Sequence, residues 1–255
     1  MTRPAVLVTG GARRIGAEIC RRFAREGWHV VIHCNRSVAE GEALAASLPS
    51  AEVVQCDLID SEAAIAMVQS LAARLPDWRV LVNSASIFVP DEATGLDPET
   101  SRLSMRINAV SPTRMAQAFL GAAQSPAGRR VIAITDQKLA NPNPDFFSYT
   151  MSKHALAATI PMLAMADTRP EDRIYGLAPG AILPSHDQSP GEYQVSGRLN
   201  LLERLTGADE VADAAFFLAQ GWLASGSTLF VDSGQHLLSQ RRDVLYLARE
   251  GDAVS

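Results

Sequence analysis

Cysteine is scarce in this chain: Cys20, Cys34 and Cys56 are three in number, widely separated and without a Cys-x-x-Cys pair. That pattern excludes a disulfide framework and offers no zinc ligand set, so reduced thiols are expected. Histidine is also sparse. His29 and His33 would share one face of a strand, but no carboxylates at ligand spacing accompany them, and no metal site is expected. No apolar run approaches the ~20 residues of a membrane span. The opening Met1-Thr2-Arg3-Pro4 leads directly into a short strand-like segment, without the apolar region of a signal peptide, so a cytoplasmic protein is expected. Basic residues are not in excess: net charge is −5 and the isoelectric point about 5.6, which argues against nucleic-acid and anionic-membrane partners.

What is present suits a soluble globular domain. The chain has 255 residues, 47% of them hydrophobic, enough to fill a sizeable core. Apolar runs with strand character begin near Ala5, Trp28, Glu52, Trp78, Arg130, Arg173 and Ser227, and amphipathic helical stretches separate them. Such alternation predicts an α/β fold: a doubly wound parallel sheet with helices on both faces. With no repeat or low-complexity tract, one domain over 1–238 is expected. Within it, the Ser-, Pro- and Gly-rich stretch at about 181–205 has the composition of a mobile substrate lid, and includes His186. A charged tail at 239–255, helical near Arg241 to Arg249, has no clear role.

The first strand runs into Thr9-Gly10-Gly11-Ala12-Arg13-Arg14-Ile15-Gly16 and then a helix. Glycines let backbone approach a ligand, and the free N–H groups of a first helical turn attract an anion, so Gly10, Arg13, Arg14, Ile15 and Gly16 are candidates to hold a pyrophosphate. The second strand ends in Asn35-Arg36-Ser37, without the acidic residue that would accept from ribose hydroxyls. Arg36, Ser37 and Arg13 offer charge-assisted bonds to a 2′-phosphate instead, which favours NADPH over NAD. Asp57 and Leu58 after the third strand would flank the adenine. Asn83, Ser84 and Ala85 after the fourth would let the cofactor lie close to backbone, with Ser86 and Phe88 beyond them at the ligand-binding edge.

Tyr149 and Lys153 lie one helical turn apart. A phenol ionises near pH ~10, so a neighbouring cation is needed for it to exchange protons at neutrality. On its own the pair is equally an exposed helical pair. Asn108, in an apolar stretch, needs partners and either caps local backbone or holds a water chain. Asp136 closes the fifth strand, and Pro179-Gly180 follows the sixth.

In this order the Thr-Gly turn, Asn83-Ser84-Ala85-Ser86, Asn108, Tyr149-x-x-x-Lys153, Pro179-Gly180 and Val231-Asp232-Ser233-Gly234 resemble the short-chain dehydrogenase/reductases over nearly the whole chain. The resemblance implies a Rossmann-type sheet of about seven strands, a nicotinamide cofactor and a homotetramer. It also implies Tyr149 as proton donor, Lys153 as its pKa-lowering neighbour and ribose contact, and Asn108 as anchor of a relay water.

Three departures are informative. Arg14 replaces a glycine of the family's turn, Ser86 replaces another glycine, and Asp136 stands where the family has a serine, thirteen residues before the tyrosine. Each resembles the pteridine reductases and the dihydromonapterin/dihydrofolate reductases of the same superfamily. A carboxylate would repel the alkoxide that forms when a ketone is reduced. A pterin, reduced at C=N, has N–H donors for an acceptor and a nitrogen that must gain a proton. The resemblance therefore predicts NADPH-dependent reduction of a pterin or folate. Phe88 would stack on the substrate, and Arg14, Ser86, Asp136, Tyr149 and Ile182 would contact it. Ile182 departs from that subgroup, which has serine there. The alternatives are a short-chain reductase of another substrate, such as a 3-oxoacyl thioester, and a catalytically silent NADPH-binding protein.

Overall fold

The structure, a computed structural model, describes residues 3–166, 169–185 and 187–252; His186 and the last three residues of the tail lie outside it. Seven parallel strands form one sheet: β1 (Ala5–Val8), β2 (His29–Cys34), β3 (Ala51–Gln55), β4 (Trp78–Asn83), β5 (Arg130–Ile134), β6 (Arg173–Pro179) and β7 (Thr228–Val231). Their order is β3-β2-β1-β4-β5-β6-β7, so the chain reverses direction across the sheet between β1 and β4. The doubly wound fold expected from the sequence is the one observed.

The central strands are apolar at most positions because both faces are covered. Side-chain alternation sends Val6, Val8, Val30, Ile32, Val80 and Val82 into one core layer, and Ala5, Leu7, Val31 and Leu81 into the other. The first layer packs against α1 (Arg14–Arg25), α2 (Val38–Ser47) and α8 (Ala208–Ala219). There Phe23 meets Trp28 edge-on at 5.0 Å and Phe216 at 5.4 Å. The second layer packs against α3 (Ser61–Arg74), α5 (Ser111–Ala122) and α6 (Phe147–Ala164).

The long helical stretch expected from Glu99 is divided. It forms α4 (Pro98–Met105), a π-helical turn (Arg106–Val110) and α5. α6 runs unbroken through Pro161. Among the described residues of the expected lid a short helix forms, α7 (Pro190–Ser196), closed by a Ser189–Glu192 capping box. The tail forms α9 (Val244–Asp252), which packs back onto the domain with Val244, Leu245 and Ala248 buried. Among the described residues no helix is long and apolar enough to cross a membrane.

Candidate active site

A cavity of about 500 Å³ opens at the carboxyl ends of the strands, where the sheet reverses direction. Its floor is the turn after β1. Gly10 has φ +64°, and a Cβ there would lie 3.0 Å from Ala85 Cα; a Cβ on Gly16 would lie 2.3 Å from Gly10 O. Both positions therefore require glycine. Thr9 joins this floor to the β4 loop, its hydroxyl accepting from the N–H groups of Ser84 (2.9 Å) and Ala85 (3.0 Å). His33 accepts from Gly10 N–H at Nδ1 (3.2 Å) and its Nε2 faces Cys56 O (3.0 Å). Only a neutral Nε2–H ring satisfies both contacts, and burial holds its pKa down to about 4.

The fit to a dinucleotide follows from the start of α1. No side chain caps it and no acidic residue occupies its first turn, so its free N–H groups point to an anion. Gly10, Arg13, Arg14, Ile15, Gly16, Asn35, Asp57, Leu58, Ser84, Ala85, Pro179 and Gly180 all line the cavity, as the sequence predicts. Arg36, Ser37 and Asn83 do not. Arg36 is exposed and has no hydrogen bond or ion pair among the described residues, which leaves its guanidinium available beside the adenosine end. Asn83 is buried, its amide donating to Pro112 O (3.1 Å), so it braces β4 rather than facing a ligand. Arg13 is paired with Glu40, a carboxylate that would compete with any phosphate for it.

At the other end α6 sets the candidate reacting groups. Asp91 accepts from Ser148 N–H (3.0 Å) and the Ser148 hydroxyl (2.5 Å), fixing the first turn of the helix. Tyr149 and Lys153 then face the end of β5. The Tyr149 hydroxyl donates to Asp136 Oδ2 at 2.6 Å, while Asp136 Oδ1 accepts from Lys138 N–H at 2.9 Å. Lys153 Nζ donates to Ile134 O at 2.8 Å and lies 5.5 Å from the Tyr149 ring centroid.

These positions add a buried carboxylate to the electrostatics expected from the sequence. Burial, then the Asp136 charge, raises the Tyr149 pKa well above its ordinary value. The physical reason is distance: the carboxylate is bonded to the phenol, while the ammonium is turned to a backbone carbonyl. Burial raises the Asp136 carboxyl above its ordinary range and lowers Lys153 to about 8.

Asn108 is buried. It does not line the cavity; its side chain accepts from Ile87 N–H (2.9 Å) and donates to Ile87 O (3.0 Å) and the Ser152 hydroxyl (3.0 Å). Its bonds to Ile87 cap local backbone, and it positions the loop carrying Phe88.

Arg14, Ser86, Phe88 and Ile182 line the cavity. Arg14 adopts φ +54°, which shows why relatives use glycine there, and its guanidinium binds Pro184 O through two N–H groups at 3.0 Å. It therefore ties the floor to the lid. Phe88 stacks on Phe146 at 3.9 Å and meets Tyr149 edge-on at 4.7 Å, so one of its faces is already covered. Ile182 is buried and joins the core.

Several lining residues were not anticipated from the sequence: His33, Gln137, Lys138, Gln235, Asp243 and Val244. Gln137 and Lys138 adjoin Asp136, and that adjacency was the available signal. Asp243 and Val244 come from the tail, and nothing local in the sequence points to them. Among the described residues no cluster of His, Cys, Asp and Glu is suited to a metal.

A doubly wound sheet, an anion-ready glycine turn and a Tyr–Lys pair at the switch point define the class of dinucleotide-dependent α/β oxidoreductases. The family model described as Enoyl-(Acyl carrier protein) reductase matches residues 10–236, and the chain belongs to the short-chain dehydrogenase/reductase family. The crystal structure of FolM alternative dihydrofolate reductase 1 from Brucella canis, complexed with NADP, is similar with a TM-score of 0.86. Identity is 35%, and the match covers 94% of this chain and 96% of that one. Pteridine reductase 1 of Leishmania tarentolae is 28% identical over 92% of this chain and 97% of its own length. L-fucose dehydrogenase of Bos taurus is 29% identical over 91% and 89%. Overall identity therefore does not separate pterin from sugar substrates, and the site must.

Proposed function

We propose that the protein is an NADPH-dependent reductase of a pterin or folate, of the dihydropterin-to-tetrahydropterin type, acting on a C=N bond. The observation that carries this reading is the Asp136–Tyr149 hydrogen bond of 2.6 Å in the cavity wall. Where a ketone reductase needs a neutral donor for the carbonyl oxygen, this chain has a carboxyl group.

The cofactor would be held by Gly10, Ile15 and Gly16 at the pyrophosphate, by Asp57 and Leu58 at the adenine, and by Arg13 and Arg36 at a 2′-phosphate. When bound, NADPH supplies the hydride that reduces the C=N carbon. Tyr149 delivers a proton to the adjacent nitrogen. Asp136, whose burial raises its proton affinity, accepts the phenol's hydrogen bond in the resting site and, when protonated, returns a proton to the phenolate. Lys153, held at about 8 by burial, stabilises that phenolate while it lasts and carries a further proton. The product gains one hydride and one proton, and solvent restores the proton through this chain of groups.

Residues 181–205 act as the lid, tied to the floor by Arg14. Exposed Met151 and Met162 along α6 support assembly as a homotetramer, and the family context supports a cytoplasmic location.

The test is NADPH oxidation with dihydropterins, dihydrofolate and an acetoacetyl thioester, for the parent and Asp136→Ser. The expected result is turnover of a dihydropterin or dihydrofolate by the parent and its loss in the variant. Turnover of the thioester alone would favour the other reductase reading.

A further inference from the structure

β2 carries a histidine among apolar residues, Val30-Val31-Ile32-His33-Cys34, and that histidine is 2% exposed. Burying an imidazole is costly unless both of its nitrogens find partners. Here the partners come from the strands on either side of β2. Nδ1 accepts from Gly10 N–H in the turn after β1, and Nε2–H donates to Cys56 O at the end of β3. The backbone carbonyl of His33 also accepts from Gly11 N–H at 2.9 Å, so one residue holds two successive N–H groups of the glycine turn.

Each contact acts beside a group that would meet the cofactor. Gly10 has no slack: a Cβ there would lie 3.0 Å from Ala85 Cα, and its own carbonyl oxygen lies 2.3 Å from where a Cβ on Gly16 would be. Anchoring Gly10 therefore sets where α1 begins and where its free N–H groups point. On the other side, Cys56 C=O and Asp57 N–H share one peptide plane. A bond to that carbonyl orients the plane and, with it, the entry to Asp57 and Leu58, which line the cavity. Cys56 N–H donates to Cys34 O at 3.1 Å, so Cys56 is tied to β2 on both sides.

Only the neutral ring can do this. A protonated imidazole has two donors, and its Nδ1–H would oppose Gly10 N–H. Burial, against the opposing pull of the Cys56 carbonyl and the Asp57 charge, holds the pKa at about 4, so the acceptor is present at neutral pH.

We propose that His33 is a positioning residue for the cofactor: its imidazole fixes the pyrophosphate turn and the adenine rim relative to one another, so that the cavity is preorganised for both halves of the dinucleotide. It acts through Gly10 and Cys56 and not by contact with the reacting atoms. The proposal rests on the NADPH reading of the cavity and is independent of the substrate.

The experiment measures calorimetric affinity for NADP+ and for adenosine 2′,5′-bisphosphate, together with the thermal midpoint without ligand, for the full chain and for His33→Leu and His33→Gln. Leucine meets neither partner, whereas glutamine can place an amide N–H near the Nε2 position and keep the bond to Cys56 O. His33→Leu is expected to weaken NADP+ by about tenfold or more, and the bisphosphate as well. His33→Gln is expected to recover the bisphosphate, which depends on the adenine rim, while NADP+, which also needs the glycine turn, stays weakened. A role confined to packing would lower the midpoint and leave both affinities of the folded protein at the parental values, and that result overturns the proposal. So does a Gln variant that weakens both ligands as much as the Leu variant does. Should His33→Leu fail to fold, His33→Gln is compared with the parent: a larger loss for NADP+ than for the bisphosphate sustains the proposal, and equal changes overturn it. A parent that binds neither ligand overturns the cofactor reading, and with it this one.

Discussion

Two carboxylates sit at opposite ends of two neighbouring strands, Asp136 at the carboxyl end of β5 and Asp172 at the amino end of β6, and they are treated in opposite ways. Asp172, just before β6, is buried with Arg129: its oxygens accept from the guanidinium at 3.0 and 2.5 Å and from the backbone N–H of Arg129 at 2.8 Å and Arg169 at 3.1 Å. These donors hold its pKa below the ordinary value, although burial pushes the other way. Asp136, at the carboxyl end of β5, has one phenol and one backbone N–H, and its pKa is raised. One carboxylate is locked as an anion by a full set of donors. The other is left short of donors, so its proton is available to chemistry. The difference lies in the surroundings, since the residue type is the same.

The largest effect expected from this contrast is catalytic. Tyr149→Phe removes the proton donor while leaving the packing, and should lower kcat by about 10²–10⁴-fold, read in steady-state NADPH oxidation. Activity equal to the parent would mean that Asp136 or water delivers the proton and that the carboxyl-end cluster is not tuned as described.

Next in size is a stability effect at the amino ends of β5 and β6. Asp172→Ala leaves Arg129 buried and unpaired and should cost about 3–5 kcal/mol, measured by denaturant unfolding. The pH dependence follows from the sign of the shift. Because Asp172 has a depressed folded pKa, its contribution is present above its unfolded value of ~3.9 and is lost as pH falls through the folded value.

The smallest effect separates the two most sharply. Asp136 has a raised folded pKa, so folding favours its protonated form, and its cost to stability appears as pH rises through that value. Asp136→Asn should therefore raise the thermal midpoint at neutral pH while lowering activity, and the gain should shrink in acid. A midpoint that falls at neutral pH would place Asp136 in the same structural class as Asp172.

Much of the molecule was legible from residue order. Apolar runs on both faces and glycine at Gly10 and Gly16 are local constraints, so the parallel sheet and the floor of the cavity could be read directly. The cluster of Asp136, Tyr149 and Lys153 was legible because its parts lie near the ends of one strand and one helix. Its charge balance was not. The sequence suggests a cation acting on a phenol, but the carboxylate is the group in bonding contact and the ammonium is turned to Ile134 O. Asn108 could be read as buried and in need of partners; that Ile87 supplies them depends on how the π-helical turn meets the β4 loop. The role of the tail was not legible at all. Asp243 lies far from Lys138 in the chain, and only the docking of α9 onto Phe146, Asp145 and the lid brings them to 2.8 Å.

The sequence by itself determined the fold class, the cofactor class and the candidate reacting groups, because each depends on spacing within one turn, strand or helix. The tertiary structure decided which of those groups keep a proton and which residues complete the substrate end. Protonation is set by burial and by distances between elements, and α9 enters the cavity only through contacts that span the whole chain.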